Sequence, residues 1–159
     1  MDQKKFSVWL KAILLGIGLC GLVVYCYALP ECGRTIISDY PEFASWYWPW
    51  LIFLWFTALP CFASLVLGWR IAGNIGKDRS FCPENAVHLQ RIAYLAAGDT
   101  LFFFAGNVVM TVLGMSHPGV MLASLFVCFV GVAVTVAAVC LSHLTRKAAD
   151  LQEQSDLTV

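Results

Sequence analysis

The stretch Val120–Leu144 reads VMLASLFVCFVGVAVTVAAVCLSHL, and it contains no Asp, Glu, Lys or Arg. A helix needs about 20 mostly apolar residues to cross the hydrocarbon core of a bilayer. Inside hydrocarbon there is no water to satisfy backbone amides and carbonyls, so a stretch of this kind must be helical. Val120–Leu144 therefore predicts a membrane-spanning helix.

Three further stretches meet the same criterion, and they cover Val8–Leu29, Trp46–Ala72 and Leu89–Met115. The 159 residues are 60% hydrophobic and 13% charged, whereas a soluble domain has about 45–50% apolar and about 25% charged residues. We therefore predict one integral membrane domain over residues 1–159. Its fold class is all-α, a four-transmembrane-helix antiparallel bundle with short loops.

The first span has a second interpretation as a signal peptide. Its apolar run is too long for a typical signal peptide, and no small-x-small cleavage site precedes Pro30. We therefore expect it to stay as an anchor. The following segment, about Pro30 to Ser45, carries three acidic residues and is predicted as an outer loop.

The distribution of Lys and Arg predicts the orientation, because cytoplasmic loops of membrane proteins carry an excess of both. Only Arg34 falls on the side away from the termini. The other basic residues fall at the termini or beside the loop between the second and third spans: Lys4, Lys5, Lys11, Arg70, Lys77, Arg79, Arg91, Arg146 and Lys147. Both termini and the tail 145–159 are therefore predicted to be cytoplasmic.

The composition excludes several function classes. The net charge is zero, so no direct contact with nucleic acid is predicted. No two of the seven cysteines form a Cys-x-x-Cys pair, and no Gly-rich phosphate loop or Ser-His-Asp arrangement is apparent. We predict no metal, no cofactor and no enzymatic activity.

Asp99 lies about ten residues into the third span, so it is predicted to sit near the middle of the membrane. Carboxylates at that depth are costly and mark functional sites. With Thr100 and Asn107 it is predicted to form an intramembrane polar site, and Thr57, Ser64 and Thr135 lie at comparable depth. One interpretation is a site for protons or cations, and the other is a neutral Asp that holds two helices together by a hydrogen bond.

Small residues predict where helices approach closely. The pairs that stand out are Ala12 with Gly16, Gly106 with Gly114, and Ala133 with Ala137.

Two polar segments are predicted at the cytoplasmic face. In the first, Gly76–Leu89, Gly76 is placed to end the second helix and Pro83 suits the first position of the third. In the second, Leu144–Val159, apolar residues recur at helical spacing: Leu141, Leu144, Ala148 and Leu151. The fourth helix is therefore predicted to continue past the membrane as an amphipathic extension.

At these segments the sequence resembles the domain of unknown function family two-nine-seven-five, which consists of small bacterial four-helix membrane proteins. The resemblance rests on Phe81-Cys82-Pro83-Glu84-Asn85, which leads into Leu89 and Ile92, and on the closing residues Leu151–Val159. Family tails commonly have Glu where Gln154 stands and Asn where Ser155 stands. Members are often encoded beside a small helix-turn-helix regulator, which implies a membrane protein that binds or tunes a transcription factor.

Two hypotheses about function follow. The first is a non-enzymatic regulatory or signalling subunit of the bacterial cytoplasmic (inner) membrane that binds a small helix-turn-helix regulator. The residues predicted to bind this partner are Phe81, Pro83, Glu84, Asn85, Leu151, Gln152, Glu153, Asp156 and Leu157. The alternative is a small transporter or ion- or proton-conducting protein that uses Asp99, assembled as a homo-oligomer because four short helices enclose little volume.

Overall fold

The structure is a computed structural model, and it describes residues 2–116 and 118–156. These residues are almost entirely helical, and no strand occurs among them. The helices are α1 (Gln3–Val23), α2 (Leu29–Asp39), α3 (Tyr47–Ile75), α4 (Pro83–Val112) and α5 (Pro118–Asp156). A π-helical turn, Val24–Ala28, joins α1 to α2, and a 3-10 turn, Pro41–Trp46, leads into α3.

Four helical segments are long and apolar enough to cross a membrane: Gln3–Asp39, Pro41–Ile75, Pro83–Val112 and Pro118–Ser155. The prediction of four spanning helices is therefore confirmed. The predicted helix ends are confirmed as well, since Gly76 caps α3 and Pro83 begins α4. The fourth span continues as one helix to Asp156, as the spacing in the tail predicted.

The prediction of an outer loop over about Pro30 to Ser45 is wrong, because the first helix continues through the π turn as far as Asp39. In a π-helix each carbonyl accepts from the amide five residues later. For the Tyr25 carbonyl that residue is Pro30, which has no N–H to donate. The indole Nε1 of Trp55 donates to the Tyr25 carbonyl instead, at 3.0 Å. The Trp55 side chain on α3 thus satisfies a carbonyl that would otherwise lack a donor where the helix continues beyond Pro30.

The spanning helices lie in an antiparallel row, in which each packs against its neighbours in the chain. Within the described residues α3 lies between α1 and α4, α5 packs against α4, and the backbone of α1 approaches neither α4 nor α5. The accessible surface is 10540 Å², whereas a compact soluble monomer of this mass exposes about 7,900 Å². The row therefore presents broad apolar faces, as lipid contact requires.

The contact between α4 and α5 is the most extensive in the row. On α5, small residues that are buried or half-buried recur at spacings that alternate between four and three: Ser124, Cys128, Gly131, Thr135, Ala138, Ser142, Thr145 and Ala149. A spacing that averages 3.5 residues is the coiled-coil repeat. Small side chains along such a seam let the two backbones approach closely.

The predicted small-residue contacts are mostly wrong. Ala133 and Ala137 are exposed, because they lie outside the seam that α5 presents to α4. A Cβ added at Gly16 or at Gly114 would meet nothing within 4 Å. Gly106 is a true contact position, since a Cβ there would clash with the ring of Phe53.

Candidate functional site

The buried side chain of Asn85 organises the loop between α3 and α4. Its amide nitrogen donates to the carbonyls of Arg79 (3.2 Å) and Ser80 (3.0 Å). Its amide oxygen accepts from the side chain of Asn74 on α3 at 2.8 Å. Asn85 is only 1% exposed, so these bonds do not compete with water. We call Asn74, Arg79, Ser80 and Asn85 the Asn85 clamp.

The start of α1 is joined to the same end of the molecule. The hydroxyl of Ser7 is buried and donates to the carbonyl of Ala72 at 2.6 Å. A Cβ on Gly76 would lie 2.8 Å from the Ser7 hydroxyl, so glycine permits this close approach. The hydroxyl of Ser80 donates to the side-chain oxygen of Gln3 at 2.9 Å. We call this end of the row, which carries both chain termini, the terminal end.

A groove of about 550 Å³ opens at the terminal end. It is lined by Gln3, Phe6, Ile75, Asp78, Ser80, Phe81 and Gln152. Phe6 and Phe81 are 44% and 58% exposed, so each offers a ring to a ligand or to a partner protein. We call this feature the terminal groove.

The terminal groove brings together Phe81 and Gln152, which the sequence placed in two separate partner-binding segments. Sequence reasoning missed the contribution of α1, namely Gln3 and Phe6. The available signal was an aromatic residue, Phe6, directly after the Lys4-Lys5 pair at the polar start of the first helix.

The other residues predicted to bind a partner are distributed around the terminal groove. Pro83 and Glu84 are exposed at the start of α4, and Glu84 lies 3.7 Å from the guanidinium of Arg79. Leu151 and Glu153 are exposed on α5, Asp156 ends that helix, and Leu157 lies outside the described residues. The side chain of Asn85 is fully occupied inside the protein, so it shapes the loop rather than presenting itself to a partner.

The last turns of α5 project beyond the rest of the terminal end. The hydroxyl of Ser142 donates to the carbonyl of Ala86 at 2.7 Å, which sets the level of α5 against α4. From that level α5 extends about 15 Å past the start of α4 at 1.5 Å per residue. Arg146 and Lys147 come first in this extension, and acidic residues follow: Asp150, Glu153 and Asp156. We call residues 146–156 the α5 extension.

A second polar region lies midway along the helices. One oxygen of Asp99, Oδ2, accepts from the thiol of Cys61 on α3 at 3.7 Å. The hydroxyl of Tyr25, in the π turn, lies 3.1 Å from the hydroxyl of Thr57, which donates to the Leu54 carbonyl at 2.7 Å. Tyr25 also interacts electrostatically with Cys61 and Asp99. We call Tyr25, Thr57, Cys61 and Asp99 the Asp99 cluster.

The second carboxylate oxygen of Asp99, Oδ1, is buried and has no hydrogen-bond partner among the described residues. A sulfhydryl is a weak donor, so the carboxyl group is poorly satisfied on both oxygens. Unsatisfied polar atoms inside a protein call for an explanation, which is either strain or an absent ligand or water.

The structure places Thr100 and Asn107 apart from Asp99. The hydroxyl of Thr100 donates to the Ala96 carbonyl at 2.7 Å, and its side chain lies against Gly131 on α5. The amide of Asn107 donates to the Phe103 carbonyl at 2.8 Å. Asp99 contacts α3 instead, because successive residues of a helix point about 100° apart.

Tyr25 and Cys61 are the members of the cluster that sequence reasoning missed. Both look like ordinary apolar-span residues, and only the π turn and the register between α3 and α4 bring them to Asp99. Over residues 2–116 and 118–156, no three His, Cys, Asp or Glu residues are grouped closely enough to hold a metal ion.

Helices of this length, with apolar faces outward and two small polar regions between them, define a multi-pass membrane protein. The chain belongs to the family described as Protein of unknown function (DUF2975), whose family model matches residues 32–159. It is also similar to the Uncharacterized membrane protein YoaS of Bacillus subtilis (strain 168), with 26% identity over 155 residues. That match covers 96% of this chain and 97% of the relative. No solved structure matches the chain.

Proposed function

We propose that this chain is a non-enzymatic regulatory subunit of the bacterial cytoplasmic membrane that binds a small helix-turn-helix regulator at its terminal end. The observation that carries the proposal is the terminal groove, in which α1, the loop and α5 each contribute side chains to one exposed surface. Holding the regulator there keeps it away from DNA.

The residues that line the groove favour a protein partner over a small metabolite. The groove combines the exposed rings of Phe6 and Phe81 with polar side chains. This composition is typical of a protein-binding hot spot rather than of a closed ligand pocket. The Asn85 clamp holds the backbone just before Phe81 without using its side chain, so the exposed ring is left for contact with a partner.

Beyond Arg146 and Lys147 the charged residues of the α5 extension are all acidic, and this end favours a basic partner. Asp150 and Glu153 are exposed on the part of α5 that projects farthest. A helix-turn-helix domain carries a basic surface for the DNA phosphates. Complementary charge speeds association and sets orientation, and an acidic helix that covers this surface competes with DNA.

The orientation in the proposal rests on the excess of Lys and Arg at the terminal end, which is typical of a cytoplasmic side. A reporter fused after the last residue tests this directly. We expect an enzyme that is active only in the cytoplasm to be active there, and activity of a periplasmic reporter at the same position would contradict the proposal.

The binding test is co-purification of the detergent-extracted chain with a coexpressed small helix-turn-helix regulator. We expect deletion of residues 151–159 to abolish co-purification while membrane insertion is retained. We expect Phe81→Ala to weaken binding about tenfold, as loss of an aromatic hot spot does. The matched control is Leu144→Ala, because Leu144 is 64% exposed but does not line the groove. Co-purification that survives the deletion contradicts the proposal.

The poorly satisfied carboxyl of Asp99 favours a second candidate, a small oligomeric transporter or ion-conducting protein. Because α1 approaches neither α4 nor α5 among the described residues, a second copy would have to complete any enclosed path. Proton or cation flux in proteoliposomes that is lost in Asp99→Asn would support this candidate. Flux that is absent from the wild type would remove it.

A further inference from the structure

Three basic or titratable side chains lie at about the same level of α3 and α4, and two of them, Arg70 and Arg91, are exposed. The Asn74–Asn85 and Cys61–Asp99 contacts fix the register of these helices, and the same register sets Arg70 level with the residues that follow His88. Both Arg70 and Arg91 act electrostatically on His88. We call Arg70, His88 and Arg91 the boundary cluster.

The positive charge of the boundary cluster is not balanced within the described chain. The ion pairs there join Arg34 to Glu31 and Arg79 to Glu84, so Arg70 and Arg91 have none. Glu84 is the acidic group that acts on His88, and it is shared with Arg79.

His88 adds a hydrogen-bonding atom to this surplus of charge. Its ring nitrogen Nδ1 is buried and lacks a hydrogen-bond partner among the described residues. Because this nitrogen has no accessible surface, the surface that is complementary to an anion is formed by the exposed guanidinium groups of Arg70 and Arg91, which have no ion pair.

The cluster lies at the depth of lipid headgroups. Trp69 precedes Arg70, and the Nζ of Lys11 lies 5.4 Å from the centre of the Trp69 ring. Trp rings and the ends of Lys side chains gather at the membrane interface. One turn deeper, Val66 below Arg70 and Tyr94 below Arg91 are 56% and 68% exposed. They leave an apolar surface on which an acyl chain can lie.

We propose that Arg70 and Arg91 bind the phosphate of an anionic phospholipid headgroup, with the acyl chains against α3 and α4. The planar guanidinium groups suit two-point contact with phosphate oxygens. This site is separate from the terminal groove, so the proposal of lipid binding does not depend on the proposal that a regulator binds.

The test is native mass spectrometry of the full chain in detergent, titrated with phosphatidylglycerol and, in parallel, with phosphatidylcholine. We expect phosphatidylglycerol adducts to persist at activation energies that strip phosphatidylcholine. Since each basic residue near a surface contributes about 1 kcal/mol to attraction of anionic lipid, the double variant Arg70→Gln/Arg91→Gln should bind about thirtyfold more weakly.

The matched control is Arg146→Gln/Lys147→Gln, which removes the same charge from exposed residues on the α5 extension. We expect this control to change the affinity by less than about twofold, because Arg146 and Lys147 lie more than about 10 Å farther out along the helices, beyond the Debye length of about 8 Å. Equal losses in the two double variants would show diffuse attraction rather than a site, and would overturn the proposal. The variants Arg70→Lys/Arg91→Lys keep the charge, so a loss of about threefold or more there attributes binding to the guanidinium geometry.

A third arm replaces lipid by inorganic phosphate. If phosphate displaces bound phosphatidylglycerol and raises the thermal stability to the same extent, the ligand is the free anion and the lipid assignment is overturned. We expect phosphate to do neither at concentrations up to tens of millimolar, because it makes no contact with the apolar surface below the cluster.

Discussion

The Asn85 clamp and the Asp99 cluster are both polar groups placed between α3 and α4, yet they differ in how well they are satisfied. Asn85 makes three hydrogen bonds of 2.8–3.2 Å, all to neutral partners. Asp99 makes one contact of 3.7 Å to a thiol and leaves an oxygen without a partner in the described chain. The comparison teaches that the most conspicuous residue in a membrane sequence need not be the one that holds the structure.

The physical basis of this difference is cooperativity in a water-poor environment. A fully satisfied network rigidifies the structure, whereas a partly satisfied one gains little and pays for desolvation. We therefore expect the clamp to stabilise the terminal end and the Asp99 cluster to contribute little to stability.

The largest effect should come from Asn85→Ala. It leaves the Arg79 and Ser80 carbonyls and the Asn74 amide without their partner, so we expect a loss of about 3 kcal/mol in the free energy of unfolding. The measurement is thermal unfolding of the detergent-extracted chain. The control is Asn107→Ala, whose amide bonds only to a carbonyl of its own helix and should contribute under about 1 kcal/mol. Equal losses would contradict the distinction between the two amides.

An intermediate effect should come from Gly131→Val, which disturbs the packing of α4, the helix that carries both polar regions. The added side chain would clash with Thr100 and separate α4 from α5. We expect a loss of about 2 kcal/mol, measured by the same unfolding experiment. Ala133→Val is the control, since Ala133 is exposed and should tolerate the change within about 0.5 kcal/mol. If Gly131→Val left the free energy of unfolding unchanged, the seam between α4 and α5 would not be tightly packed.

The smallest effect should come from Asp99→Asn. The amide is nearly the same shape, removes any charge from the membrane interior and gives up only a weak contact with the Cys61 thiol. We expect the free energy of unfolding to change by less than about 1 kcal/mol or to rise. Asp78→Asn, on the exposed loop, serves as a control for the same substitution in water. A loss above about 2 kcal/mol would mean that Asp99 has a strong partner and that the comparison is wrong.

Much of the fold could be predicted, because spanning helices are recognised by length and apolar content alone. The extension of α5 and the start of α4 at Pro83 follow from local spacing and from the conformational preference of proline. The region Pro30–Ser45 was mispredicted because Pro30 reads as a helix end. The helix continues to Asp39, and Trp55, distant in sequence, donates to the carbonyl that the proline cannot serve.

The sites were predicted less completely than the fold. Phe81 and Gln152 were identified as surface residues, but their meeting in one groove with Phe6 depends on how three segments pack. Thr100 and Asn107 were grouped with Asp99 by proximity in sequence, whereas the structure groups Asp99 with Cys61 and Tyr25. Neighbours in a helical sequence point in different directions, and so proximity along the chain does not determine a shared site.

The sequence by itself determined that lipid surrounds this chain, how many helices span the bilayer and which end carries the basic residues. These properties depend on the free energy of transferring single residues from water to hydrocarbon. Only the tertiary structure decided which polar residues meet, because that depends on helix register and on the small-residue seam of α5. Inside hydrocarbon the hydrophobic effect does not choose between one apolar helix face and another. The choice falls to close packing and hydrogen bonds between residues far apart in the chain.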